Sequence, residues 1–206
     1  DVAARMTQKA AGVLLNGNIL EGLAKGVDGT LGETGVEKLA GGAATDGEAF
    51  CYDNTVLITD APTFVANEKL QTEHFGPVVL FVTYASDDEL IAAIDTLHGN
   101  LTATLHATND ELEAAGVIYY HLREKAGRLI WNGYPTGVAV VHAMQHGGPY
   151  PATTAPATTS VGMMAIKRFM RPVAYQNMPA ALLPAALHDA NPLGIWRTVN
   201  GALTKY

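Results

Sequence analysis

The chain has 206 residues, 48% hydrophobic and 16% charged, which suits one sizeable core and argues against a disordered polypeptide. Thirteen basic residues against 20 acidic ones give a net charge of −7 with no Lys/Arg cluster, which argues against nucleic acid as the main partner. The single Cys51 excludes an internal disulfide, no apolar run approaches the roughly 20 residues of a membrane span, and no signal-peptide pattern is visible, so the expectation is a cytoplasmic protein.

Along the chain, "DVAARMTQKAAGV" places Val2, Met6 and Val13 near one helical face. Glycines crowd the next stretch, which reads as turns around a short helical piece from Ile19 to Ala24. "EKLAGGAATDGEAFCYDNTVLITDAP" has β-leaning ends and suggests a strand pair joined by a polar loop. "VVLFVTY", from Val78 to Tyr84, is apolar on both faces and predicts a central, doubly covered strand. Ser86 with Glu89 makes a capping box, and Asp87 and Asp88 favour a helix start there. Leu90, Ile91, Ile94 and Leu97 mark the buried face of that helix.

A strand over 102–107 follows, and then a second capping box at Thr108 and Glu111. The helix it opens runs through Leu112, Ala115, Tyr119 and Leu122, with Arg123 and Lys125 at its end and Gly127 as its stop. "RLIW", 128–131, is the next strand. Strand, helix, strand, helix, strand with short joins predicts an α/β fold, a mostly parallel sheet with flanking helices. From Asn132 to Ser160 the chain is rich in Gly, Pro and Thr and reads as a long ordered loop. "AIKRFMRPVAYQ" reads as a strand that Pro172 confines to an edge. A tail with Pro179, Pro184 and Pro192 is expected to wrap a surface and, with that strand, to make oligomer contacts. The expected division is 1–165 and 166–206.

Several residues could carry chemistry. Cys51 has no base, basic neighbour or helix N-terminus beside it, so it reads as a small core residue. His142 and His146 have chelating i, i+4 spacing, but no third ligand is marked and Gly147, Gly148 and Pro149 end any helix, so no metal is expected. No phosphate-binding glycine signature occurs, and Ser160 lacks a nucleophile-elbow setting. Glu73 and Phe75 remain. In an extended segment they share a face while His74 points the opposite way. A carboxylate can accept from two vicinal hydroxyls, and the ring could pack on a flat heterocycle. On the residues alone, a solvent-facing Glu on a turn whose Phe is core stays open beside that reading.

"EHFGPVV", the acid-capped helix, "TATLHATND", "GRLIWNGYPTGVAVVHAMQHGGPYPATT" and "TSVGMMAIKRFMRPVAYQNMP" together resemble the C-terminal half of the aldehyde dehydrogenase superfamily. With "LHDANPLGIWR" they look like its branch acting on α-ketoglutarate semialdehyde. The resemblance implies a catalytic-domain fold with a C-terminal oligomerisation strand and tail. It implies that Glu73 binds the hydroxyls of the nicotinamide ribose of NAD or NADP, and that Phe75 holds the nicotinamide side. Tyr134 and Tyr150 become pocket candidates on the loop, and the substrate becomes a small aldehyde. The family's Gly-Gln-x-Cys and Glu-Leu-Gly-Gly motifs do not occur here, so no catalytic residue is assigned. The chain is then expected to be inactive without a missing N-terminal half, as part of a homo-oligomer. The alternative is a non-catalytic interaction module; a hydrolase built on His142 and His146 is a third reading.

Overall fold

In the computed structural model, which describes residues 1–45 and 49–206, the first helix, α1 (Val2–Met6), is a single turn. It does not reach Val13, which lies in β1 (Gly12–Val13) paired with Cys51. The Asn54 amide donates to the carbonyls of Lys9 and Ala10, drawing the backbone out of helical register. Gly12 passes so close to Pro77 that a Cβ there would lie 2.8 Å from its ring.

Where only Ile19–Ala24 was expected to be helical, α2 runs over Gly17–Leu31. Asn16 starts it, its side-chain oxygen accepting from the Ile19 N–H at 3.0 Å. Interior glycines cost a helix about 1 kcal/mol each. They are offset by one face, Leu23 and Val27, packing on fully buried Tyr52.

The expected strand pair is present: β2 (Glu37–Ala40) runs antiparallel to β5 (Thr55–Asp60). Between them β3 (Ala44–Thr45) and β4 (Cys51–Tyr52) join β1 in a small sheet of order β1-β4-β3. Helix α3 (Ala61–Ala66), capped by the Asp60 carboxylate accepting from the Thr63 N–H at 2.8 Å, and a turn at Glu68–Gln71 lead to β6 (Val78–Thr83). Strand β6 pairs parallel with β5. It is not central: the order β2-β5-β6 gives that place to β5, whose Val56 and Leu57 are fully buried.

Helix α4 (Asp87–Thr96) begins at Ser86, whose Oγ accepts from the Glu89 N–H at 3.3 Å. The Glu89 carboxylate reaches one residue further back than a standard box, to the Ala85 N–H at 2.8 Å. Strand β7 (Asn100–Leu105) follows, then the Thr108/Glu111 box, with the Glu111 carboxylate accepting from the Thr108 N–H and hydroxyl. Helix α5 (Leu112–Leu122) leads to β8 (Ala126–Trp131), parallel to β7. Gly127 does not stop α5. It lies inside β8, where a Cβ would strike the Gly147 carbonyl of the overlying loop. The strands form an α/β arrangement with flanking helices and mixed sheet orientations, and β7-β8 is a sheet separate from β2-β5-β6.

The long loop is held from below by Arg128, which donates to the carbonyls of Gly137 at 3.0 Å and Pro135 at 3.3 Å. No ladder forms over 165–176 among the described residues; Met163–Phe169 is a 3-10 helix instead. Pro172 offers no N–H, and Phe169 and Met170 stand exposed.

The chain divides into two compact units, Asp1–Arg168 and Phe169–Tyr206. The second holds short turns at Ala180–Leu182 and Ala185–Leu187 and a hairpin of β9 (Arg197–Val199) and β10 (Ala202–Thr204). Asn200 and Gly201, with φ of 51° and 83°, form its tight turn. Arg197 staples this unit by donating to the His188 and Asp189 carbonyls, each at 2.6 Å.

Candidate functional site

The segment from Thr72 to Pro77 is set by what lies beneath it. His74 points inward, and a 2.8 Å hydrogen bond links its Nε2 to the Thr30 hydroxyl on α2. Gly26 makes the room: a Cβ there would lie 2.8 Å from His74 Nδ1. Burial holds the His74 pKa below the ordinary histidine value of 6.5 and favours its neutral form. Gly76 rests on Leu23, leaving no space for a side chain, and the Pro77 carbonyl accepts from the Thr55 N–H at 2.8 Å as β6 begins.

With His74 turned in, Glu73 and Phe75 face out. Phe75 is 70% exposed, so it is not a core residue. The Glu73 carboxylate makes no hydrogen bond or ion pair among the described residues. Its oxygens are free to accept from a diol, and a free ring stands two residues away. A carboxylate can accept from a diol, and an exposed ring can pack on a flat heterocycle.

Glu73 also lines a groove of about 770 Å³. Leu80 and Val82 of β6 line it with Phe64, Leu70 and Leu97, all of one apolar cluster, and Pro151 and Ala152 line it too. Gln71, also in the lining, donates to the Thr96 carbonyl at 3.1 Å and accepts from the His98 N–H at 2.9 Å. Phe75, Tyr134 and Tyr150 are not among the groove's lining residues. Tyr134 is 77% exposed with its ring 5.3 Å from His106, and Tyr150 is 76% exposed on the loop. The structure therefore brings Glu73 to a cavity and leaves the two tyrosines outside it.

Cys51 is half-buried between Val13 and Thr45 in the small sheet. His142 and His146 do not share a helical turn; His142 lies 3.4 Å from the Met164 sulfur, and His146 Nδ1 is buried without a partner among the described residues. Sequence reasoning missed His74 and Gln71, which seat the segment and clamp the groove. Their partners lie 44 and 25 or more residues away, and only the alternation around Glu73 signalled that His74 turns inward.

The aldehyde dehydrogenase family profile matches residues 8–154. Over 199 residues the chain is 42% identical to an α-ketoglutaric semialdehyde dehydrogenase of Acinetobacter baylyi, covering 94% of this chain and 37% of that protein. It is 43% identical to α-ketoglutaric semialdehyde dehydrogenase 2 of Azospirillum brasilense, covering 97% of this chain and 38% of that protein. The chain thus spans less than two-fifths of the length of these relatives. A betaine aldehyde dehydrogenase of Staphylococcus aureus, solved with NAD+, shares the fold at a TM-score of 0.61 and 18% identity, over 76% of this chain and 30% of that one.

Proposed function

This chain belongs to the aldehyde dehydrogenase family, and we propose that it is one part of an NAD(P)-dependent enzyme oxidising α-ketoglutarate semialdehyde to its acid. The observation that carries the substrate class is the identity of 42–43%, over nearly the whole chain, to two relatives bearing that name. In this reading Glu73 accepts from the hydroxyls of the nicotinamide ribose, and Phe75 covers the nicotinamide side. Its support is the unpartnered, outward carboxylate and the exposed ring beside it, both set by the inward anchor of His74. The nicotinamide, when bound, supplies hydride acceptance. The residues here bind and orient it.

The chain alone does not turn over aldehyde. Its one thiol, Cys51, is paired on both sides within a sheet, and no base is placed to activate it among the described residues. The nucleophile comes from the remainder of the enzyme, and the Phe169–Tyr206 unit, with Phe169 and Trp196 exposed, contributes to homo-oligomer contacts.

The test is NAD(P)H formation from 2,5-dioxopentanoate by the chain alone and by the chain co-expressed with the portion of the A. baylyi relative that it does not match. Turnover only in the combined sample is expected. Turnover by the chain alone that vanishes in Cys51→Ala would overturn the assignment of the nucleophile. No turnover from a folded, associated pair would favour a non-catalytic interaction module.

A further inference from the structure

Among the described residues four asparagines have a left-handed backbone: Asn132 (φ 47°), Asn177 (φ 54°), Asn191 (φ 45°) and Asn200 (φ 51°). Asparagine is a thermolabile residue because its own chain can attack it. The N–H of the next residue loses its proton, and the nitrogen adds to the side-chain Cγ. A C–N bond forms, the bond from Cγ to Nδ2 breaks, and ammonia leaves a succinimide ring. Water then opens the ring at either carbonyl, giving aspartate or an isoaspartate whose main chain runs through Cβ. The reaction is intramolecular, so its rate depends on whether Cγ and that nitrogen can meet. It needs a side chain free to turn, a following residue that does not crowd the approach, and a disengaged backbone N–H.

These conditions separate the four sites. Asn191 precedes Pro192, which has no N–H, and its Nδ2 donates to the Ile195 and Lys205 carbonyls at 3.0 and 2.7 Å. Asn177 precedes Met178, whose side chain crowds the attacking nitrogen. Asn132 precedes Gly133, but both ends of its amide are held by Ala107: Oδ1 accepts from the N–H at 2.9 Å and Nδ2 donates to the carbonyl at 2.8 Å. Asn200 precedes Gly201, is exposed, and makes no side-chain hydrogen bond among the described residues. The Gly201 N–H donates to no acceptor among them either. The remaining Asn-Gly pair, Asn16-Gly17, has its Oδ1 engaged as the cap of α2. Asn132 and Asn200 thus share dipeptide, exposure and backbone conformation, and differ in whether the amide is tethered.

The hairpin around Asn200 also lets the backbone move. Strands β9 and β10 pair only with each other, over three residues each. A two-stranded hairpin without further strands is marginal in water, so it opens to geometries that the closed turn excludes.

We propose that Asn200-Gly201 is a site of spontaneous, water-driven conversion to aspartate and isoaspartate, and that the isoaspartyl product unlocks the C-terminal hairpin. Isoaspartate adds an atom to the main chain of a two-residue turn, and turn length sets the register of Val199 on Ala202, Thr198 on Leu203 and Arg197 on Thr204. Arg197 ties that hairpin to the His188 and Asp189 carbonyls, so losing the register loosens the staple of the unit. The proposal is independent of the aldehyde chemistry.

Incubating the purified, folded chain in mildly alkaline buffer tests it, with peptide mass mapping and chromatographic separation of aspartyl from isoaspartyl peptides. Asn200 is expected to lose its amide about tenfold or more faster than Asn132, whose two hydrogen bonds must break first. In urea, where no fold holds either side chain, the two rates should converge. A folded-state rate at Asn200 no greater than that at Asn132 overturns the site. A gap that persists in urea belongs to the sequence and overturns its structural basis. Hydrogen exchange reads the consequence: amides of β9 and β10 should exchange faster in the isoaspartyl chain than in fresh chain. Asn200→Asp adds the same charge without the extra main-chain atom, tolerates the left-handed backbone, and should keep its protection. Equal exchange in fresh and isoaspartyl chains, or equal loss in Asn200→Asp, overturns the link between the turn's length and the hairpin.

Discussion

Replacing Gly26 by alanine sets two effects of opposite sign against each other, and the structure decides which prevails. Alanine in a helix interior is worth about 0.8–1.0 kcal/mol over glycine. At Gly22 and Gly29 an added Cβ meets nothing within 4 Å, so both should gain roughly that amount. At Gly26 the same Cβ would lie 2.8 Å from His74 Nδ1 and 3.3 Å from Cε1. The imidazole must swing away and give up its 2.8 Å bond to Thr30. Thr30 is 6% exposed, and a buried hydroxyl left unpaired costs about 1–3 kcal/mol. The net for Gly26→Ala then lies between roughly zero and a loss of about 2 kcal/mol, after the helix gain is subtracted. Urea unfolding midpoints of the three variants measure it, at constant slope. If Gly26→Ala is stabilised as much as Gly22→Ala, His74 is not seated against α2, and the account of how Glu73 is aimed fails with it.

The buried His74 also predicts a pH dependence. Its folded pKa lies below 6.5, so as pH falls past 6.5 the unfolded chain takes up the proton first and stability declines until the folded pKa is reached. Unfolding midpoints from about pH 7.5 to about 5.5 should show a slope that His74→Gln flattens; an unchanged slope removes His74 as its source. Leu57→Ala, at a fully buried position of the middle strand, should cost about 2–5 kcal/mol, and Phe81→Ala on the 38% exposed edge strand clearly less; equal costs would contradict the strand order. Glu73→Gln should leave stability unchanged, because its carboxylate has no partner among the described residues, yet raise the cofactor KM of the combined enzyme by about tenfold or more, the loss of a charged hydrogen bond. A stability loss with an unchanged KM would make Glu73 structural.

Local signals carried the run from β6 to β8. Ser86 with Glu89 and Thr108 with Glu111 announce helix starts through bonds spanning three or four residues, and both were legible. Helix α2 was legible only over Ile19–Ala24, because Gly22, Gly26 and Gly29 argue locally for turns, while the burial of Leu23 and Val27 against Tyr52 is a tertiary effect. The C-terminal hairpin was missed although Asn200-Gly201 is a strong two-residue turn signal, and the stretch 165–176 reads as a strand that Pro172 cannot complete. At the site, period-two alternation agrees with the exposure of Glu73 and Phe75 on either side of half-buried His74. It could not supply Thr30 as the anchor of His74, a contact across 44 residues.

The most informative disagreement is at β6. A run apolar on both faces belongs in the middle of a sheet, yet Val78–Thr83 is an edge, with Phe81 38% exposed and Leu80 and Val82 half-buried. Pattern and position agree only when something else lies along that edge. Without it, an apolar, uncharged edge pairs with whatever strand is at hand. The chain alone should therefore self-associate as its concentration rises, and Phe81→Lys, which adds a charge to the edge while its backbone still faces β5, should delay this. Light scattering over a dilution series reads the effect. With the unmatched portion of the relative present, the wild-type chain should stay dispersed, because the edge is already paired. Equal aggregation of wild type and Phe81→Lys would place the sticky surface elsewhere, for instance on the exposed Phe169 and Met170, and would detach the edge of β6 from the behaviour of the chain.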